Sequence, residues 1–444
     1  MEACYNLFWN HLEIHIFQCF QRSYLPINHR AKKHFITLLA ILNLLFSTGM
    51  SFAFWASSVT GNIDSAESSV VVGDWYDGTP IYTISEFIDV ITTDGNTGSY
   101  VLARNLDFNN ITPAEWIQTK DIRFMGSLDG LGHSISNITL SDYRGIFGIL
   151  DGATIKNITL NAVNINYTLA DNYTSGILAG RMQGTGNLIE NVRINNSSIS
   201  NTSVFAGGLV GFVSPTSGTG TATISNVKIT GTSITGGYSG NGYGNGGLFG
   251  TVNTFNMTID DVYVEATVTS NSLTSSGGLI GSTLTGTTVA INRAVVFSSV
   301  IVLSTTNDAN VGSGGLIGRN QGTASANDVF YTGFLRAYVT NPTNTSYTVR
   351  AGTLRAAGNN ITFTNSRSSQ ITIYRRAQNP SIAVNTATLY NKLTGQKATH
   401  SAATYVKLRT SLNAAWWTTN YSAITNLSLI WEYNATTRLY QLKD

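Results

Sequence analysis

Gly207-Gly-Leu-Val-Gly211, Gly246-Gly-Leu-Phe-Gly250, Gly277-Gly-Leu-Ile-Gly281 and Gly314-Gly-Leu-Ile-Gly318 are one phrase repeated along the chain. Two looser versions precede them, Gly145-Ile-Phe-Gly148 and Gly176-Ile-Leu-Ala-Gly180, and the closing glycines fall 32, 31, 39, 31 and 37 residues apart. Between these phrases lies a second one, an apolar strand around a polar residue. It reads Ile135-Ser-Asn-Ile138, Ile155-Lys-Asn-Ile158, Ile189-Glu-Asn-Val192, Ile224-Ser-Asn-Val227, Ile259-Asp-Asp-Val262, Ile291-Asn-Arg-Ala294 and Ala326-Asn-Asp-Val329. From the second copy on, its polar positions are spaced 34, 35, 35, 32 and 35. A fixed period in this range means a solenoid or a propeller.

The runs inside each unit are short, rich in Ile, Val and Thr, and alternate with period two. No helical period survives between residues 130 and 330. A four-stranded propeller blade needs more residues and hairpin turns. The spacing therefore predicts an all-β chain, a parallel β-helix with one coil per repeat. Equivalent side chains would stack about 4.8 Å apart. Leu209, Leu248, Leu279 and Leu316 should form one inward column. Asn137, Asn157, Asn191, Asn226, Asp261, Arg293 and Asp328 should form a structural ladder of amides, continued by alternating charges. The paired glycines are expected at tight corners or at positive φ.

Composition agrees with strands and turns. The 444 residues include 43 Gly and only 6 Pro, and charged residues make up 11%, less than half of the usual ~25%. Both cysteines, Cys4 and Cys19, lie before an apolar run from Phe35 to Phe46. Lys32 and Lys33 before that run, and Ser51-Phe-Ala53 after it, give the order of a secretory signal, with cleavage expected after Ala53. Export is thus expected, to the cell surface or beyond, with membrane contact only through the leader if it stays uncleaved. Beyond the leader only His133 and His400 remain, and no HExxH occurs, so no metal site and no cofactor are expected. No apolar C-terminal tail or LPxTG-like sorting motif suggests a covalent anchor.

The organisation read from the sequence is a leader over 1–53, an N-terminal segment and cap over 54–99, the repeat β-helix over 100–345, and degenerate last coils with a basic C-terminal cap over 346–444. The first cap should contain a short helix. Thr83-Ile-Ser-Glu86 is a capping-box pattern, and Phe87, Ile88, Val90 and Ile91 make one helical face.

The Gly-Gly-Leu-x-Gly units resemble the GLUG motif of bacterial cell-surface proteins. The stretch from Tyr100-Val-Leu-Ala-Arg-Asn-Leu-Asp-Phe108 through Phe124-x-Gly-x-Leu-Asp-Gly-Leu-Gly-His-Ser-Ile-Ser-Asn-Ile-Thr-Leu140 resembles the opening of pectate-lyase-like right-handed β-helices that carry such repeats. The resemblance covers about residues 100–335 and implies a right-handed parallel β-helix. Some chains with this motif carry an IgA-cleaving metalloprotease domain, but the absence of HExxH keeps that activity from being carried over.

No residue is assigned a catalytic role. Asp260-Asp261 is the adjacent acid pair in the repeat region, but strict alternation would point the two side chains to opposite faces. His133 reads as a turn residue. Tyr238 and Tyr243 lie in the Gly236–Gly247 insertion, where a sugar could stack on them. Residues 54–330 carry 20 acids and 10 bases, whereas 331–444 carry 2 acids and 12 bases. The excess in the tail makes Arg375, Arg376, Lys392 and Lys397 candidates for polyanion contact. An acidic front and a basic rear also suit head-to-tail self-association. The leading expectation is a non-catalytic β-helix for adhesion or matrix building, with an extracellular glycan, wall polymer or matrix protein as partner and no nucleic acid. The alternative is a carbohydrate-active β-helix enzyme, a polysaccharide lyase or glycosidase, which would need carboxylates and a base converging on one groove.

Overall fold

The computed structural model describes residues 76–110, 121–141, 144–167, 174–201, 206–237, 243–271, 275–304, 312–339, 350–352, 354–359, 361–369, 372–377, 405–406 and 412–444. The leader, its cleavage site, Tyr238, Lys392, Lys397 and His400 lie outside these residues. All described residues fall in one compact unit, Trp75–Asp444.

From Ser175 on, each coil crosses three parallel sheets. The long face takes strands such as Thr154–Tyr167, Gly220–Gly236, Phe255–Ser270, Thr288–Ser304 and Thr323–Val339. The second face takes Phe147–Asp151, Ala179–Gln183, Val210–Val213, Phe249–Val252, Ile280–Thr283, Ile317–Asn320 and Arg355–Gly358. The third is narrow, from Ser175–Gly176 through Ala206–Gly207 and Gly244–Gly246 to Arg350–Gly352. Every pairing among these strands is parallel and joins one coil to the next, so the fold is a parallel β-solenoid.

Register follows the sequence repeat. Ile189, Ile224, Ile259, Ile291 and Ala326 are successive partners on the long face, and so are Val192, Val227, Val262, Ala294 and Val329. At the opposite corner the Leu209 amide donates to the Leu248 carbonyl at 2.8 Å, Leu248 to Leu279 at 2.8 Å, and Leu279 to Leu316 at 3.0 Å. All four side chains are fully buried. Each such burial is worth about 1.5–3 kcal/mol relative to exposure.

The glycines before and after each Leu serve close approach rather than positive φ. A Cβ on Gly207 would lie 2.1 Å from the Val210 carbonyl oxygen, and one on Gly250 would lie 2.3 Å from that of Gly211. Neither residue has positive φ. The second and third faces meet there backbone against backbone, which leaves no room for a side chain.

At the first-coil end, helix Ile84–Thr92 carries the expected capping box, with the Thr83 hydroxyl accepting from the Glu86 amide and the Glu86 carboxylate accepting from the Thr83 amide. Phe87, Ile88, Val90 and Ile91 are buried in the main core, where the Phe87 ring meets those of Phe108 and Phe147 edge-on.

The C-terminal end is built differently from the expected cap. Strands from 350 to 377 continue the coils. Residues 412–444, with helix Ala414–Asn420 and hairpin Trp431–Asn434/Leu439–Leu442, do not close them. They lie against the outer side of the long face, where Trp417, Tyr421, Ile424, Trp431, Leu439 and Leu442 form a second core with Tyr263, Val295 and Phe330.

Candidate functional site

The long face bends twice, and each bend is a stack of left-handed residues. Asn157, Asn191, Asn226, Asp261, Arg293 and Asp328 have φ between 51° and 54°. Asn tolerates this region better than most residues because its short amide can bond locally. The amides do form a ladder: Asn191 Nδ2 donates to Asn157 Oδ1 at 2.8 Å, and Asn226 to Asn191 at 3.1 Å. Below them Asn157 donates to Asp129 at 2.9 Å. At the next rung Asp261, as a carboxylate, has no proton to pass on. The free Asn226 oxygen is instead met by Arg193 Nη2 at 3.1 Å. Arg293 then grips Asp261 with two bonds, 2.8 and 2.9 Å.

Two expectations are corrected here. Asn137 is not in this column. The pairs Ile135↔Leu160 and Ile138↔Val163 place it beside Ala162. Asn137, Ala162, Asn196 and Gly231, with φ from 49° to 58°, make the second bend. This accounts for the short step from Asn137 to Asn157, since the two residues occupy different corners. The other correction concerns Asp260 and Asp261, which do not point to opposite faces. The left-handed residue resets the alternation, so the Arg293 guanidinium faces both, 3.9 Å from Asp260 and 2.8 Å from Asp261.

The outer surface of the long face therefore has distinct strips. On the first, Asp129 and Asp260 are tied to their neighbours, while Glu190 is exposed. Lys156 meets Asp129 at 3.1 Å, Asn292 donates to Asp260 at 2.7 Å, and Asn327 to Asn292 at 2.9 Å. Burial alone would push the Asp129 carboxyl up, but bonds from the Leu131 amide, Asn157 and Lys156 outweigh it and hold it below the usual range. Asp107 is lowered by bonds from Asn137 and the Asn109 amide. Asp261 holds the Arg293 guanidinium more firmly protonated. The same strip carries a groove of about 510 Å³, lined by Leu188, Thr221, Thr223, Asn256, Thr258 and Thr288 among others, with no ionisable side chain in its wall.

The middle strip lies under residues 412–444. Trp431 Nε1 donates to Asp261 Oδ1 at 2.8 Å, and the Tyr421 hydroxyl donates to the Val329 carbonyl at 2.9 Å. Lys228 meets Asp444 at 2.5 Å, and Arg193 Nε donates to the Lys443 carbonyl at 3.0 Å. Sequence reasoning missed this strip. The available signal was the runs Val262-Tyr-Val264, Ala294-Val-Val296 and Val329-Phe-Tyr331, which lack a polar residue where a half-exposed strand would show one.

The remaining candidates do not converge. His133 Nδ1 lies 3.3 Å from Asn105 Oδ1 beside a turn. Tyr243 leans edge-on against Phe212 at 6.2 Å, and Arg181 lies over the Phe212 ring at 5.8 Å. Arg375 and Arg376 belong to strand Thr372–Ala377, beside Ala337 and Tyr338 of the preceding coil. Among the described residues no group of three or more His, Cys, Asp or Glu is placed to hold a metal ion. No described helix is long and apolar enough to cross a membrane.

Residues 77–196 match the N-terminal region of the M26 IgA1-specific metallo-endopeptidases. Halomucin from Haloquadratum walsbyi (strain DSM 16790 / HBSQ001) is 29% identical over 167 residues, an alignment that takes in 33% of this chain and 2% of halomucin. A provisionally named immunoglobulin A1 protease from Bacteroides ovatus superposes with a TM-score of 0.45 at 13% identity, over 82% of this chain and 94% of that one.

Proposed function

We infer that this protein is an extracellular or surface-displayed β-solenoid that works by adhesion or matrix building rather than by catalysis. The observation that carries the reading is the wall of the long-face groove, which is Thr, Asn, Gly and apolar residues without a charge. A lyase or glycosidase needs an acid and a base converging on its substrate. Of the nearby carboxylates, Asp129 and Asp260 are held by Lys156, Asn292 and Arg293, and Glu190, two residues along the strand from Leu188, is an exposed acid that does not by itself make an acid–base pair. The matches to an IgA1-specific peptidase N-terminal region and to halomucin, names that point outside the cell, support export together with the signal-like leader.

The partner is an extracellular glycan, wall polymer or matrix protein. The basic stretch containing Arg375, Arg376, Lys392 and Lys397 is the contact proposed for an anionic one, and the same charge split favours head-to-tail association of rods. The test is an array of glycans, wall polymers and matrix proteins probed with the full chain. Saturable binding without bond cleavage is expected. New reducing ends or unsaturated products from any polysaccharide would overturn the reading in favour of an enzyme. Sedimentation at low and high salt checks self-association, which fails if the protein is monomeric at every ionic strength.

A further inference from the structure

Apolar packing changes sides along the solenoid. On the second face one core column runs Leu150, Met182, Val213 and Val252, then turns polar at Thr283 and Asn320. Both polar residues are fully buried, and the Thr283 hydroxyl donates to the Asn320 side chain. In a neighbouring column Ile280 and Ile317 are followed by a buried Arg355. The outer side of the long face changes the opposite way, from Thr159, Arg193 and Lys228 to Tyr263, Val295 and Phe330. The late coils thus lose apolar filling inside and gain it outside, under residues 412–444.

We propose that residues 412–444 are a lateral clasp that couples the late coils to the middle ones, so that the solenoid resists unwinding from its C-terminal side. In a solenoid each repeat otherwise touches only its neighbours, so terminal coils can open one at a time. This segment touches many rungs at once. It holds Arg193 and Lys228 through Lys443 and Asp444, Asp261 through Trp431, and Val329 through Tyr421. At the far end Arg367 Nη1 donates to the Asn420 carbonyl at 3.0 Å. One coil cannot leave without breaking contacts that belong to the others. This role does not depend on the adhesive reading.

Hydrogen exchange on the full chain tests it. In Trp431→Ala, amides of strand Thr323–Val339 should exchange about tenfold faster or more, while those of Ser134–Ser141 and Phe147–Asp151 stay at the wild-type rate. Should that variant fail to fold, Tyr421→Phe removes only the hydroxyl bonded to Val329. It should raise the same late-coil rates about threefold to tenfold, in line with one lost hydrogen bond. Unchanged rates in Thr323–Val339, or equal acceleration in early and late strands, would overturn the clasp.

Discussion

The early and late coils share a winding but not a source of stability. From Leu150 to Val252 the second-face column is aliphatic or thioether and buried in the main core, whereas Thr283 and Asn320 carry it on with a hydrogen bond in a place of little solvent. The difference teaches that a β-solenoid needs its backbone register everywhere but its hydrophobic filling only on one side of each sheet. The early long face packs apolar side chains on its inner side only and sets Arg193 and Lys228, buried under the last residues of the chain, on the outer one. The late long face packs apolar side chains on both sides, with Val262 and Val264 inward and Tyr263 outward in one run.

The strongest way to break the comparison is at a glycine both halves share. Gly250→Val should cost more than about 3 kcal/mol, because its Cβ would meet the Gly211 and Ala206 carbonyl oxygens at 2.3 and 2.9 Å. Urea titration of the full chain reads this, and a variant of native stability would remove the close-approach argument. Next, Leu248→Ala in the densely filled middle should cost about 4 kcal/mol and Leu354→Ala near the end about 2 kcal/mol. Equal costs would mean that the late coils are as tightly filled as the early ones.

The polar interior pair sharpens the same contrast. Asn320→Leu alone leaves the Thr283 hydroxyl without its acceptor and should cost about 1–3 kcal/mol. With Thr283→Val added, part of the loss should return, since both partners of that buried bond are then gone while the Asn320 amide bond to the Asn359 carbonyl stays lost. If the double variant is as unstable as the single one, the pair is not the weak point of the late core.

A smaller effect separates the two bends. Ala162 holds a φ of 52° without any side-chain bond to justify it, at a strain of about 1–2 kcal/mol. Ala162→Gly should therefore gain a few tenths to about 1 kcal/mol after the entropy of the unfolded chain is counted. Asn191→Gly, which discards two ladder bonds, should lose stability. A gain at both positions would show that the amide ladder contributes nothing.

The smallest effect is acid sensitivity of the early end. The carboxyls of Asp107 and Asp129 sit below their ordinary range in the folded chain. Depressed carboxyls contribute stability above their unfolded pKa, about 3.9, and lose it as pH falls through the folded value. Denaturant midpoints should thus hold from pH 7 to about 4.5 and decline below about 4, with the decline flattened in Asp129→Asn. A decline that begins near pH 6 would point to other groups.

Much of the fold was legible because its determinants are local and periodic. Leu209, Leu248, Leu279 and Leu316 announce their stacking by spacing alone, and Thr83 with Glu86 announces its helix. The second bend was not legible because Ala162 and Gly231 break the asparagine pattern while keeping its φ. The phase reset at Asp261 was hidden for the same reason, since backbone handedness is not written in residue type when Asp and Arg replace Asn. The basic pair Arg375–Arg376 was visible as charge, but charge does not say what it meets.

The sequence by itself determined the parallel winding, the inward columns and the N-terminal cap, since each depends on contacts between residues one repeat or one helical turn apart. Only the tertiary structure decided that residues 412–444 lie along the side. That docking joins Trp431 to Asp261 and Tyr421 to Val329, pairs with no common period. Surface complementarity between a non-repeating segment and a repeating one leaves no trace in spacing.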